Sequence, residues 1–335
     1  MTVSADDDDG TALCFPQSHN ESCQRPVRPH SEAVLYYTAL SSVALLTVAL
    51  NLLVVISISH FRQLHTPTNL LLLSLATCDL LVGLLVMPVE TVRITDSCWR
   101  MGPYVCSLAT LVAFVLTSAS VGNVVLISVD RYVAICYPLR YHAVVTQRRT
   151  AACVALCWLS SVVYNGAILD DHLARSARLT ACRGECVVVI DSTRGAADLV
   201  FTFIGPCTVI PVLYLRVLAV AVAQARAART QTFAMSTAQA GAGADRKSER
   251  KAARTLGILI VVFLACFCPY YYPVLAEEYS THSDALWSIM SWMVYVNSTL
   301  NPLIYALFYP WFRRAIRVIV TLRILEEGSA QTRVL

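Results

Sequence analysis

The stretch "GAADLVFTFIGPCTVIPVLYL", residues 195–215, decides what kind of protein this is. Asp198 is its only charged side chain, and the rest is long and apolar enough to cross ~30 Å of hydrocarbon as a helix. The run is continuous rather than alternating, so it does not read as a barrel strand. A carboxylate inside such a run is costly and asks for a reason.

The whole chain shares this character. Its 335 residues are 56% hydrophobic and 14% charged, with a mean hydropathy of +0.58. Soluble domains carry about 25% charged residues, so an integral membrane protein is indicated. Seven apolar stretches, at about 33–59, 69–92, 104–137, 150–169, 196–224, 253–276 and 286–309, each reach the ~20 residues of a spanning helix. The segments after the odd-numbered spans carry Arg62, Arg140, Arg148, Arg149, Arg226, Arg229, Arg246, Lys247, Arg250, Lys251, Arg254, Arg313, Arg314, Arg317 and Arg323. The positive-inside rule puts these in the cytoplasm and the N-terminus outside. Of 22 acids, 16 fall in the tail, the outer loops or the outer ends of spans, which predicts a negative outer face that draws cations. Glu277, Glu278, Asp170 and Asp171 contribute to it.

The expected architecture is an all-α membrane protein, a seven-transmembrane helix bundle over 33–309. An extracellular tail (1–32) precedes it, and a short amphipathic eighth helix (310–324) and a cytoplasmic tail (325–335) follow. Residues 1–32 are polar and acidic, so no cleaved leader is expected. Asn20 begins a glycosylation sequon, "NES", suited to an outer tail; a second match at Asn297 lies in an apolar run. The connection 225–250, rich in small and basic residues, reads as a mobile inner loop. The thirteen cysteines lack metal spacing, since Cys182 and Cys186 have no matching second pair.

Several polar residues stand inside spans: Asn51, Asp79, Asn297 and Asn301. Any one alone is explained by helix–helix hydrogen bonding. Together they suggest one buried cluster, in which Asp79, Ser120, Ser298 and Asn301 can hold a cation such as sodium. At the inner end of span three stands "DRY", Asp130–Arg131–Tyr132, and Glu249 lies at the start of span six. Arg131 is either an interfacial snorkelling arginine or half of a two-state switch, pairing locally with Asp130 and across helices with Glu249. Pro88, Pro206, Pro269 and Pro302 permit kinks within spans.

The set Asn51, "LATCD" ending at Asp79, "DRY", Trp158, Pro206 with Tyr214, "CFCP" at 266–269 and "NPLIY" at 301–305 resembles the rhodopsin-like (class A) G protein-coupled receptors, in order, over all seven spans. "NSTLNPLIYALFYPWF" at 297–312 is similar to the fingerprint of trace amine-associated receptors, as are "FRQLHTPTNLLLLSLATCDLLVG", "DSCW" and "RKAARTLGI". The resemblance implies a plasma-membrane receptor for a small-molecule amine, coupled to a heterotrimeric G protein of the stimulatory or olfactory type. It implies a bridge from Cys106 to Cys182 or Cys186, and one from a tail cysteine, Cys23 or Cys14, to the other. It also implies an activation switch of Asp130, Arg131, Tyr214, Glu249, Phe263, Phe267, Asn301, Pro302 and Tyr305.

One departure matters. Most amine receptors hold the ligand ammonium on an aspartate in span three, eighteen residues before the DRY arginine; here that residue is Ala113. Asp198 is the candidate replacement. It precedes Pro206 by eight residues, ~12 Å along a helix, which puts it in the outer half of span five. Some family members carry a span-five aspartate without the span-three one, and this sequence looks like that type. The competing reading is a first-turn acid favoured by the helix dipole. By position, the rest of the pocket is Phe114, Thr117, Ser118, Thr202, Tyr270, Tyr271, Ser291 and Tyr295. Glu90, two residues after Pro88, either faces lipid headgroups or supplies a second acid suited to a diamine or polyamine.

The expected function is therefore amine reception, olfactory in setting, with the ammonium on Asp198 and cAMP as output. The alternatives are an orphan receptor that lost amine binding with Ala113, or a non-olfactory biogenic amine receptor. No nucleophile–base or metal constellation suggests an enzyme; no resident cofactor is expected beyond sodium near Asp79, and the expected partners include membrane lipid but no nucleic acid.

Overall fold

The computed structural model describes residues 11–18, 21–26, 29–96, 98–171, 173, 182–186, 190–234, 257–272 and 284–334. Asn20, Glu249, Glu277, Glu278 and residues 235–250 of the inner loop lie outside the described residues.

Seven long helices form the body. Span one is His30–His60, span two Pro67–Thr95, span three Gly102–Cys136 and span four Gln147–Ile168. Span five runs from Ser192 to Ala234, span six is described as Gly257–Tyr272, and span seven is Asp284–Phe308. Local sequence sets their starts. Thr66 caps span two, accepting from the Asn69 amide at 3.3 Å, with Pro67 in the first turn, where its missing N–H costs nothing. Thr146 caps span four in the same way through the Arg149 amide.

Asp191 caps span five, its Oδ1 accepting from the Thr193 and Arg194 amides at 3.0 Å each. The first-turn acid of this helix is thus Asp191. Asp198 stands almost two turns further in, beyond the reach of the terminal dipole, so that reading of it falls away.

Two spans leave regular α geometry just before their prolines. Val82–Val86 and Leu199–Ile204 are π-helical, immediately upstream of Pro88 and Pro206. A π turn inserts one residue into the helical phase. Side chains beyond it face about 100° from where unbroken α periodicity puts them. Glu90 itself lies inside the bundle at 7% exposure, which corrects the lipid-facing alternative.

The interior has two main apolar clusters. The larger runs along the inner half, from Val54, Phe61 and Leu75 through Val124 and Ile210 to Phe263, Phe267, Tyr305 and Phe312. The smaller joins span two (Cys78, Val82, Val86, Met87) to span three (Ala113, Leu116, Ala119) and Trp292 of span seven. Trp158 braces span four to span two, donating its Nε1 to Ser74 Oγ at 3.0 Å.

The described part of the outer tail carries regular structure. Thr11–Leu13 pairs antiparallel with Gln24–Pro26 in a small hairpin. Three disulfides fasten it and the loops: Cys14–Cys98, Cys23–Cys182 and Cys106–Cys186. The open choice among Cys182 and Cys186 is thereby resolved, and Cys14–Cys98 is a bridge the sequence reading did not include. Gly184 makes the crossing feasible: its φ is +107°, and a Cβ there would lie 2.7 Å from Cys14 Cβ.

At the inner face, Pro310–Val320 forms the eighth helix, ending earlier than expected because Leu322 adopts a left-handed conformation (φ 59°). Trp311, Phe312 and Ala315 are buried while Arg313, Arg314 and Arg317 are exposed, an amphipathic surface helix. The following segment folds back. Ser329 Oγ meets His60 Nε2 at 3.0 Å, Gln63 donates to the Gln331 carbonyl at 3.3 Å, and Val334 is buried beside the Phe61 cluster.

Candidate functional site

Asp198 sits where the regular turn of span five gives way to its π segment, partly buried. Thr202, one turn on, donates its hydroxyl to Oδ1 at 2.8 Å, and Tyr271 of span six donates to Oδ2 at 3.3 Å. Among the described residues no cation pairs with it. Phe203 stacks on Tyr271 with ring centroids 4.5 Å apart. Tyr164 of span four stands beside Asp198 and Thr202, its hydroxyl buried. Sequence reasoning missed Tyr164, because a tyrosine in an apolar span gives no signal until the fold places it.

The remaining pocket candidates divide. Tyr270 packs edge-on against Tyr271 at 5.0 Å and against Trp287 at 6.1 Å, and Tyr295 packs against Trp292 at 6.2 Å. Phe114, Thr117 and Ser118 are half-buried on span three, and Ser291 likewise on span seven. Ala113 is buried in the apolar cluster that includes Met87, Val86 and Trp292, so the span-three position itself brings an ammonium no charge. A cavity of about 450 Å³ lies elsewhere, around span seven. Its lining, which includes Tyr36, Ile94 and Trp292, takes no residue from spans three, four or five.

Acids of the outer face are more committed than their sequence positions suggested. Asp170 and Asp171 pair with Arg194, which also reaches Asp191 at 3.1 Å. Glu90 pairs with Arg93, Nε to Oε2 at 3.4 Å.

Deeper in the bundle, Asn301 donates to Asp79 Oδ2 at 2.8 Å, and Asn51 donates to the Thr47 and Ser298 carbonyls at 2.9 Å. Asp79 is fully buried, yet its Oδ1 has no partner, with Ser120 and Ser298 alongside. A buried carboxylate oxygen with an open acceptor fits a small cation.

At the inner end, Arg131 holds Asp130 Oδ2 through Nε at 2.9 Å. Thr68 donates to the same oxygen at 3.0 Å and Tyr141 to Oδ1 at 2.9 Å. Phe263 and Phe267 stack at 4.4 Å beneath the pocket. Tyr305 is buried with its hydroxyl unpartnered, next to Pro302 and Asn301 on span seven. Tyr214 lies against Gly257 of span six, where an added Cβ would collide with its ring.

A family model described as "7 transmembrane receptor (rhodopsin family)" matches residues 50–305. The chain is 38% identical to Trace amine-associated receptor 13c of Danio rerio, with 98% of each chain covered. It is 36% identical to Trace amine-associated receptor 6 of Homo sapiens (95% of this chain, 94% of the relative) and 34% identical to Trace amine-associated receptor 1 of Macaca mulatta (93% and 95%). With the seven-helix bundle, the outer disulfides and the motifs in place on every span, the chain belongs to the rhodopsin-like seven-transmembrane receptors, multi-pass proteins of the plasma membrane, and within them to the trace amine-associated receptors.

Proposed function

We propose that this receptor detects an amine whose ammonium pairs with Asp198, and that it signals through a stimulatory or olfactory G protein to raise cAMP. The observation that carries the reading is the state of Asp198: a partly buried carboxylate with hydroxyl donors from Thr202 and Tyr271 and, among the described residues, no cation. Carboxylates withdrawn from water are ordinarily paired. An incoming ammonium supplies the missing charge, and the faces of Tyr164, Phe203 and Tyr271 suit a cation and its apolar stem.

Binding that favours one arrangement of spans five and six over another shifts the bundle by that difference in affinity. Phe267 and Phe263 lie between the pocket and the inner face, where Arg131, Tyr214 and Tyr305 carry the change. In this reading Arg131 gives up its hold on Asp130, Glu249 being its second partner. Asp79, Ser120, Ser298 and Asn301 would hold sodium, which supplies positive charge to the buried carboxylate. Asn20 is the proposed glycosylation site of the outer tail.

The test is a dose–response series of linear and arylalkyl monoamines on cells expressing the receptor, with cAMP as readout. Asp198→Asn at matched surface expression is expected to shift the response about ten- to hundredfold, the worth of one charge-assisted bond. An undiminished response removes Asp198 from the site.

A further inference from the structure

We propose that Arg93 restricts the receptor to ligands with one ammonium, by occupying the carboxylate of Glu90 that would otherwise receive a second. This rests on the Asp198 reading and extends it to the substrate class. Glu90 is buried at 7% exposure and its Oε2 accepts no hydrogen bond. Arg93, one turn away on the same helix and one-third exposed, reaches that oxygen from the outer side at 3.4 Å. Tyr295 of span seven lies in the field of both charges and of Tyr270. Tyr270 touches Tyr271, and Tyr271 donates to Asp198. Tyr295 on span seven and the touching pair Tyr270 and Tyr271 on span six thus stand between the span-two and span-five carboxylates.

The carboxylates differ in one respect. Asp198 lacks a cation among the described residues, whereas Glu90 has one built in. A monoamine on Asp198 leaves the Glu90–Arg93 pair untouched. The second ammonium of a diamine, following the tyrosines, arrives at a site already neutral and meets the guanidinium at close range. It must displace Arg93 or stay unpaired in a poorly solvated place, and either is costly. The pair has charge proximity without a hydrogen bond, so removing the guanidinium frees the acid without dismantling a bonded network.

Arg93→Gln keeps much of the stem and removes the charge; Arg93→Ala removes both. Receptors with either change, with Glu90→Gln, and with Arg93→Gln and Glu90→Gln together are compared at equal surface expression, using linear monoamines and matched α,ω-diamines. The wild type is expected to prefer monoamines. Both Arg93 variants are expected to lower the half-maximal diamine concentration about ten- to hundredfold, with monoamine responses unchanged, and the double variant to lose that gain. A wild type that already prefers diamines overturns the proposal, as does an unchanged diamine-to-monoamine ratio in both Arg93 variants. A monoamine response indifferent to Asp198→Asn strikes the underlying reading instead, and silence to both amine series overturns both.

Discussion

Gly257→Ala is a small change that sets a steric clash against a gain in helix propensity. A Cβ built at Gly257 lies 2.7 Å from Tyr214 Cζ and 3.2 Å from Cε2, with the hydroxyl closer still. The tyrosine is partly buried between spans, so the ring has to shift. Overpacking of this kind costs about 1–3 kcal/mol. Against it stands the helix propensity of Ala over Gly, about 1 kcal/mol. The single variant should therefore lose roughly 0–2 kcal/mol, the difference of those two ranges. In a Tyr214→Leu background the collision is absent and the propensity gain remains, so the same substitution should stabilise by about 1 kcal/mol. A thermal-denaturation cycle on detergent-solubilised receptor measures all four corners. Because Tyr214 belongs to the proposed switch, Gly257→Ala should also reduce agonist-evoked cAMP. An equal penalty in both backgrounds would refute the contact as the cause.

Other expectations follow from single contacts. Cys14→Ser removes a clip across 84 residues of chain and should cost about 2–4 kcal/mol, with mass spectrometry still finding the Cys23–Cys182 and Cys106–Cys186 peptides joined. Trp158→Phe loses the bond to Ser74 and should destabilise by about 1 kcal/mol in the same thermal assay. Val334→Asp puts a charge where the side chain is buried; amide hydrogen exchange over 323–334 should accelerate toward that of an undocked tail, and unchanged protection would count against the fold-back.

Most of the bundle was legible because membrane solvation leaves few choices. A continuous apolar run must be a helix, and basic loops set its direction. The span motifs placed Asp79, Arg131 and Asn301 before any coordinate did. What escaped depends on packing and on long-range pairing. Glu90 stands near the outer end of span two, where sequence position alone leaves headgroups and bundle both open, and only packing put it inside at 7% exposure. Its partner Arg93 was visible at i+3 but meant little until Glu90 was known to be buried. Cys14–Cys98 escaped because cysteine counts leave connectivity open. The fold-back of Ser329 and Val334 rests on contacts with residues some 270 positions away, and Asp198 lost its first-turn explanation only when Asp191 proved to be the cap.

The central claim is that a ligand's positive charge is met by Asp198. Its most direct test pairs an arylalkyl monoamine with its uncharged alcohol analogue in competition binding to wild-type, Asp198→Asn and Asp198→Glu receptor. The account predicts that the amine binds wild type far better than the alcohol, that Asp198→Asn erases most of that difference, worth about 1.5–3 kcal/mol, and that Asp198→Glu restores part of it. An amine preference that survives Asp198→Asn at full size would contradict it.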